Sequence, residues 1–312
     1  MAKTPFDRRA IPAGATLSSW AAPDGWAIRR LDWRQPEDAA ARGSLLFAGG
    51  RGDFIEKYLE ADAHWFGRGW NVTAFDWRGQ GGSRGTIEGG HYGSFDPVVG
   101  DLDALIAAWR ADTPGPHVAI GHSMGGHILL RVLADRHPPL DAAVLVAPML
   151  GINSAPVPAF AAAATATTMT VVGLGRHPAW HQDEAPPPAG SLRQKILTGC
   201  PERYEDELYW WKKEPGYSLG APSWGWLKAA YESIARLTPV KLAAVDLPVL
   251  LVMAERDRLV SPDAIREAAR QLPRAELIAF PDAAHEILRE ADPVRLEAFA
   301  AIDAFFDAHA AP

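Results

Sequence analysis

The chain has 312 residues, of which 48% are hydrophobic and 22% charged, a composition typical of a globular protein with a sizeable core. Its formal net charge of −7 argues against a general nucleic-acid binder, because such proteins carry a basic surface. The single cysteine, Cys200, cannot form an intrachain disulfide, which favours a reducing compartment. We therefore expect one large domain with an insertion and no nucleic-acid partner.

Predicted strands and helices alternate through the first third of the chain. Strands at 15–20 and 26–33 flank an Asp24-Gly25 turn, which predicts an antiparallel hairpin. Helices predicted at 56–66, 98–111 and 126–137 then separate four short apolar strands, at 44–48, 72–75, 117–120 and 142–147. Repeated units of this kind predict an α/β fold, with a mostly parallel central sheet and helices on both faces.

The alternation stops after Pro148 and resumes at 249. Segment 151–240 is rich in Ala, Thr, Pro and Trp and shows no strand pattern, so it is predicted to form a helical cap. The core domain would then consist of 1–150 and 241–312. Its second part shows two more strands, at 249–253 and 275–280, and helices at 262–271 and 293–309.

The most apolar stretch, 155–174, is interrupted by two prolines and a glycine and is too weakly apolar for a membrane-spanning helix. A buried or surface-lying cap helix is the favoured interpretation. Residues 1–10 are charged and lack the apolar core of a secretory signal. We expect a cytoplasmic protein; peripheral contact of the cap with the inner membrane, and the oligomeric state, stay open.

A G-x-S-x-G motif at 121–125 places Ser123 between two glycines, after an apolar strand and before a helix. Such a turn strains the backbone of the serine, and its glycine neighbours leave room for the crossing chain. Strand, motif and helix together are typical of the nucleophile elbow of an α/β-hydrolase. Ser123 is therefore the predicted nucleophile.

A serine nucleophile needs a base and an acid, which in this fold follow the last two strands in the order acid, histidine. Asp257 lies beyond the strand at 249–253, and His285 lies beyond the strand at 275–280. We predict that His285 accepts the proton of Ser123 and that Asp257 orients His285. Glu255 is an alternative for the acid.

The glycine-rich loop at 49–52 follows a predicted strand and lets backbone approach a substrate closely. We predict an oxyanion hole formed by the backbone N–H groups of Arg51 and Met124. A simple glycine turn is the alternative. No G-K-[ST], GxGxxG or HExxH motif is present, so no cofactor and no metal are expected.

Several motifs together resemble the monoacylglycerol lipase and lysophospholipase group of serine hydrolases, including bacterial lysophospholipases of the L2 type. The resemblance rests on residues 49–53, 57–58, 76–81, 121–126 and 285–288, and extends to 201–204 and 220–226 in the cap. The family usually has His-Gly where this chain has Gly49-Gly50, so only the backbone donor at Arg51 carries over.

The resemblance implies hydrolysis of a fatty-acyl ester of glycerol or glycerophosphate, with the cap forming an acyl tunnel. Gly50, Trp224 and Trp226 are then predicted substrate contacts, and Arg51 is a candidate contact for a phosphate. A carboxylesterase, a thioesterase or a prolyl-type aminopeptidase on the same fold stays open. A non-catalytic binding protein is a further alternative, against which the intact Ser123, Asp257 and His285 argue.

Overall fold

The computed structural model describes residues 6–181 and 187–311. The predictions for the first five residues, for 182–186 of the cap and for Pro312 lie outside this part of the chain. One sheet runs through the described part in the order β1-β2-β4-β3-β5-β6-β7-β8. Its strands are β1 Ala15–Ala21, β2 Ala27–Trp33, β3 Gly43–Ala48, β4 Trp70–Phe75, β5 His117–His122, β6 Ala142–Val146, β7 Val249–Ala254 and β8 Ala275–Phe280.

The sheet is mostly parallel. β1 and β2 form the predicted antiparallel hairpin, and β2 also runs antiparallel to β4. All pairings from β4 through β3, β5, β6 and β7 to β8 are parallel. Because the carboxyl ends of parallel strands meet at one edge, the residues after β3, β5, β7 and β8 are brought together there.

Ten α-helices are described: α1 Leu59–Gly67, α2 Asp96–Asp112, α3 Met124–Arg136, α4 Ala159–Met169, α5 Leu192–Leu197, α6 Pro201–Lys213, α7 Trp224–Ala235, α8 Pro239–Ala243, α9 Pro262–Gln271 and α10 Asp292–His309. The chain steps from β3 to β4 in one direction along the sheet and from β4 to β5 in the other. Right-handed crossovers therefore place α1 and α2 on opposite faces. α10 packs on α1, through Trp65 and Phe299, and α3 packs on α2.

The core lies between these layers. Every residue of β3, β4, β5, β6 and β7 is buried, as expected for parallel strands covered on both faces. The predicted fold class is confirmed. Helix and strand ends differ from the predictions by a few residues at most, since the first and last turns carry weak periodic signals.

The segment between β6 and β7, residues 147–248, is here called the inter-strand segment and contains the predicted cap. Its described part holds α4 to α8. Helix α8, which begins at Pro239, spans the predicted border at 240, because a helix of five residues is too short to show a periodic pattern in the sequence. Over residues 6–181 and 187–311, no helix combines the length and apolarity needed to cross a bilayer.

Candidate active site

Ser123 lies at a sharp turn between β5 and α3, with φ 51° and ψ −115°, a conformation that L residues rarely adopt. Its N–H donates to Val146 O at 2.9 Å, which ties the turn to β6. A Cβ on Gly125 would lie 2.3 Å from the carbonyl oxygens of both Ala48 and Gly49. The motif glycine is therefore required, since it lets the start of α3 approach the end of β3.

Asp257, His285 and Ser123 form one continuous chain of hydrogen bonds. His285 Nε2 lies 2.9 Å from Ser123 Oγ, and His285 Nδ1 lies 2.6 Å from Asp257 Oδ2. The other carboxylate oxygen of Asp257 accepts the backbone N–H groups of Leu259 at 2.8 Å and Val260 at 2.9 Å. The structure thus brings together the three side chains predicted to act as nucleophile, base and acid.

The electrostatics of this chain favour an ionised Asp257 beside a basic His285. Burial alone lowers the pKa of His285, but the charge and hydrogen bond of Asp257 outweigh it and raise that pKa above its ordinary value. Burial alone raises the pKa of Asp257, yet the charge and hydrogen bond of His285, with the two backbone N–H groups, lower it. An imidazolium formed at His285 is therefore stabilised.

Glu255, the alternative acid, points away from this chain. Its carboxylate pairs with Arg266 of α9, and both side chains are about one-third exposed at 34%. Glu255 lies directly after β7, whereas Asp257 lies two residues further along the same turn. Of the two acids, the structure brings only Asp257 to His285.

The glycine loop after β3 lies against the nucleophile, since a Cβ on Gly50 would be 3.0 Å from Ser123 Cβ. Side chains accept the N–H groups on both sides of Arg51: Gly50 N donates to Asp53 Oδ2 at 2.6 Å, and Gly52 N donates to Gln80 Oε1 at 2.7 Å. The intervening N–H of Arg51 donates to no atom of the described residues.

The second predicted donor, Met124, is the first residue of α3, where backbone N–H groups have no intrahelical acceptor. Arg51 and Met124 therefore both present N–H groups beside Ser123. The oxyanion hole at these two N–H groups stays a prediction.

A buried charge cluster adjoins this site and consists of Asp53, Lys57, Glu207, Glu286 and Arg289. Lys57 Nζ lies 2.7 Å from Asp53, 2.6 Å from Glu286 and 3.4 Å from Glu207. Arg289 pairs with Glu286 and lies 3.7 Å from Glu207. Because Glu207 belongs to α6, the cluster joins the inter-strand segment to the loop that carries His285.

His122 connects this buried charge cluster to the motif. Its Nδ1 lies 3.0 Å from Asp53 Oδ2 and 2.9 Å from the hydroxyl of Tyr58, and its ring is 4.9 Å from that of His285. Asp53 and Lys57 carried a signal in their spacing of four, whereas Glu207, about 150 residues away, carried none.

A cavity of about 780 Å³ opens from Ser123 between the sheet edge and the inter-strand segment. The predicted substrate contacts Gly50, Trp224 and Trp226 all line it. Its other lining side chains are largely apolar and include Met149, Ile152, Val157, Trp180, Leu192, Ile196, Trp211, Leu227 and Val260. The volume and apolar lining suit a ligand of drug or lipid size.

Comparison with protein families gives one match across most of the chain. The family model described as serine aminopeptidase S33, of the Hydrolase_4 type, matches residues 39–292. Lysophospholipase L2 of Escherichia coli K12 is 31% identical over 289 residues, covering 86% of this chain and 81% of that protein. Monoacylglycerol lipase of Mycolicibacterium smegmatis is 24% identical, covering 81% of this chain and 84% of the relative.

The fold is also found among solved structures. A soluble variant of monoglyceride lipase from Saccharomyces cerevisiae, in complex with a substrate analogue, superposes with a TM-score of 0.73 at 19% identity. The superposition covers 98% of this chain and 99% of the yeast chain. The mostly parallel, eight-stranded sheet with its helices is thus the α/β-hydrolase fold.

Proposed function

Because the chain belongs to the serine aminopeptidase S33 family of hydrolases, we propose that it cleaves carboxylic esters of lysophospholipids or monoacylglycerols through an acyl-enzyme intermediate. The observation that carries this proposal is the hydrogen-bonded chain from Asp257 through His285 to Ser123, which ends in a large apolar cavity. Names of relatives that act on such lipids support the substrate class.

In the first half of the reaction, Ser123 Oγ attacks the acyl carbon while His285 Nε2 takes its proton. The carbonyl oxygen becomes an oxyanion, which the N–H groups of Arg51 and Met124 stabilise. His285 then gives the proton to the departing alcohol oxygen as the ester bond breaks. A water molecule, deprotonated by His285, hydrolyses the acyl-enzyme and releases the fatty acid and Ser123.

We assign the inter-strand segment the role of a cap over the acyl chain. Four of its tryptophans line the cavity, at 180, 211, 224 and 226, and they supply a large apolar surface. The bottom of the cavity is formed by the sheet edge, where Met124 and Val260 lie close to the reacting groups. A fatty-acyl chain that extends from Ser123 into this space is removed from water, which favours binding.

The outer surface of the same segment is apolar around the cavity. Phe160 is 79% exposed, Val171 77% and Val172 62%. Val157, Trp180 and Leu192, which also line the cavity, are 47%, 54% and 62% exposed. An exposed apolar surface of this kind marks an interaction site. We propose that it contacts lipid aggregates, so that substrate passes from them into the cavity.

The description of the family also raises aminopeptidase activity, which needs a carboxylate free to bind the α-ammonium group of a peptide. Three carboxylates line the described cavity, Asp53, Glu207 and Glu286. Each is paired with a cation, either Lys57 alone or Lys57 together with a neighbouring arginine. The charge balance of the cavity therefore favours an ester over an aminoacyl amide.

A hydrolysis panel tests the proposal. Purified protein is given lysophospholipids, monoacylglycerols, short p-nitrophenyl esters and aminoacyl amides, and is labelled separately with a fluorophosphonate probe. We expect the wild type to hydrolyse the long-chain esters and to be labelled by the probe. In Ser123→Ala, the rate of hydrolysis should fall by a factor of about 10⁴ or more, and labelling should be lost. Activity on amides alone would overturn the lipid assignment, and a folded protein that resists the probe would indicate a binding protein.

A further inference from the structure

Three lysine and arginine side chains line the described cavity, and their surroundings differ. Lys57 lies within the buried charge cluster, next to three carboxylates. Arg193 donates to Glu207 at 2.9 Å. For both, burial alone lowers the pKa of the side chain, but the neighbouring carboxylates outweigh burial and raise it. The positive charges of Lys57 and Arg193 are therefore balanced within the protein.

Arg51 has no such counterpart. Its Nη1 donates to Gly220 O at 3.0 Å and its Nη2 to Gly89 O at 3.1 Å, and the guanidinium lies 5.3 Å from the ring centre of Trp226. No carboxylate of the described residues forms an ion pair with it, and burial lowers the pKa of Arg51 to about 10. The charge is held by two carbonyls and an aromatic face alone.

The hydrogen-bonding capacity of Arg51 is also only partly used. A guanidinium has five N–H donors, and the described residues accept two of them. The N–H of Nε is buried and has no acceptor. A buried donor without an acceptor and a buried charge without a counterion both lower the stability of the folded protein, unless a bound ligand supplies the acceptor or the opposite charge. A ligand that balances the charge and accepts the remaining Nη donors is an anion with several acceptor oxygens.

The position of Arg51 relates this anion to the reaction. The backbone N–H of the same residue is proposed to hold the oxyanion, and its side chain lines the same cavity beside Trp226, a predicted substrate contact. The acyl chain carries no charge, hence the anion must belong to the alcohol half of the ester. A phosphate attached to glycerol meets this condition, and the planar guanidinium suits its oxygens.

We propose that the Arg51 guanidinium binds the phosphate of a glycerophosphate headgroup, which makes this site a lysophospholipase in preference to a neutral monoacylglycerol lipase. This inference rests on the proposed ester hydrolysis. Free phosphate presents the same oxygens, but it lacks the acylated glycerol that would hold it in the cavity.

The first experiment compares kcat/KM for 1-oleoyl lysophosphatidylglycerol and 1-oleoylglycerol. Arg51→Gln keeps an N–H₂ group for the carbonyls but removes the charge, and the backbone N–H is unchanged. We expect the ratio of the two kcat/KM values to fall by about ten- to a hundredfold, the usual worth of a hydrogen bond to a charged group. Arg193→Gln, a cation balanced by Glu207, should change both substrates by similar factors. A ratio within about threefold of wild type would overturn the proposal.

The second experiment needs no turnover, so it separates this inference from the proposed function. Calorimetry measures binding of sn-glycerol 3-phosphate, glycerol and inorganic phosphate to wild type and Arg51→Gln. We expect wild type to bind glycerol 3-phosphate more tightly than glycerol, and the variant to lose at least tenfold. Equal binding by both proteins, or none by wild type, would refute the phosphate site. Equal affinity for inorganic phosphate and glycerol 3-phosphate would indicate a free-phosphate site and refute headgroup recognition. Phosphate-dependent binding without ester hydrolysis would instead overturn the proposed function.

Discussion

The central strands of the sheet and helix α4 of the inter-strand segment differ in how far their side chains are buried. Strands β3 to β7 are buried along their whole length, so each position is fixed by neighbours on both faces. In α4, by contrast, only Ala166 is buried, and Phe160 is 79% exposed. Buried strands hold the reacting groups in precise positions. An exposed apolar surface suits contact with variable lipid chains, because such contacts need no fixed partner.

The two regions meet at the loop that carries His285. His285 N donates to Ile196 O at 3.3 Å, and Glu286 N donates to Leu197 O at 2.7 Å, so the end of α5 holds the backbone of this loop. The buried charge cluster adds side-chain contacts between the same regions. The residues that react and the residues that cover the cavity are thus different, but one loop connects them. Three sets of substitutions, each with a control, test how far the two groups act separately.

Asp257→Asn should give the largest effect, since it acts within the sheet region. The amide cannot stabilise an imidazolium and favours the wrong tautomer, so we expect kcat to fall by about 10⁴-fold. The charge of Asp257 raises the pKa of His285, so wild-type kcat/KM should decline with falling pH from above the ordinary value of 6.5. In Asp257→Asn this acid limb should move to lower pH.

Glu255→Gln is the matched control for that variant. Glu255 pairs with Arg266 at the surface, so both the rate and the acid limb should stay at wild-type values. A pH–rate profile for each protein, with a short p-nitrophenyl ester, makes the comparison. An acid limb that does not move in Asp257→Asn would contradict the assignment of Asp257.

Gly50→Ala should give an intermediate effect. Its Cβ would lie 2.9 Å from Asp53 Oδ2 and 3.0 Å from Ser123 Cβ, so the loop that carries the Arg51 N–H must shift. Loss of an oxyanion donor typically lowers kcat by about 10²–10³-fold. Gly100→Ala in α2, where a Cβ meets nothing within 4 Å, is the control. Steady-state kinetics with unchanged thermal stability would separate displacement of the loop from unfolding.

Charges placed on the inter-strand segment should give the smallest effect. Phe160→Asp and Val171→Asp remove apolar surface next to the cavity, so we expect about tenfold slower hydrolysis of vesicle-bound substrate. Hydrolysis of a dispersed short ester should be unaffected. Val240 in α8 is 81% exposed, like Phe160, but α8 contributes no residue to the cavity lining, whereas Ala162 and Thr165 of α4 do. Val240→Asp should therefore change neither rate. Equal losses on both substrates would show that the segment contributes to the chemistry.

Local patterns made much of the candidate site predictable. The turn at Ser123 requires glycine at 125 because a Cβ there would meet the carbonyl oxygens of Ala48 and Gly49, and this requirement leaves a motif that is visible in the sequence. The sequence favoured Asp257 as the acid but did not exclude Glu255. Both follow β7, and the direction of the turn, held by the N–H groups of Leu259 and Val260, decides which carboxylate reaches His285.

By itself, the sequence determined the order of strands and helices, the elbow at Ser123 and the positions of Asp257 and His285 after their strands. These features follow from the spacing of apolar residues, from the glycines of the motif and from the order of residues along the chain, all of which can be seen in the sequence. Only the tertiary structure decided that Lys57 meets Glu207 and Glu286, and that Arg51 meets no described carboxylate. Charge balance depends on which distant residues fold against each other, and desolvation makes that balance matter most in a buried cavity.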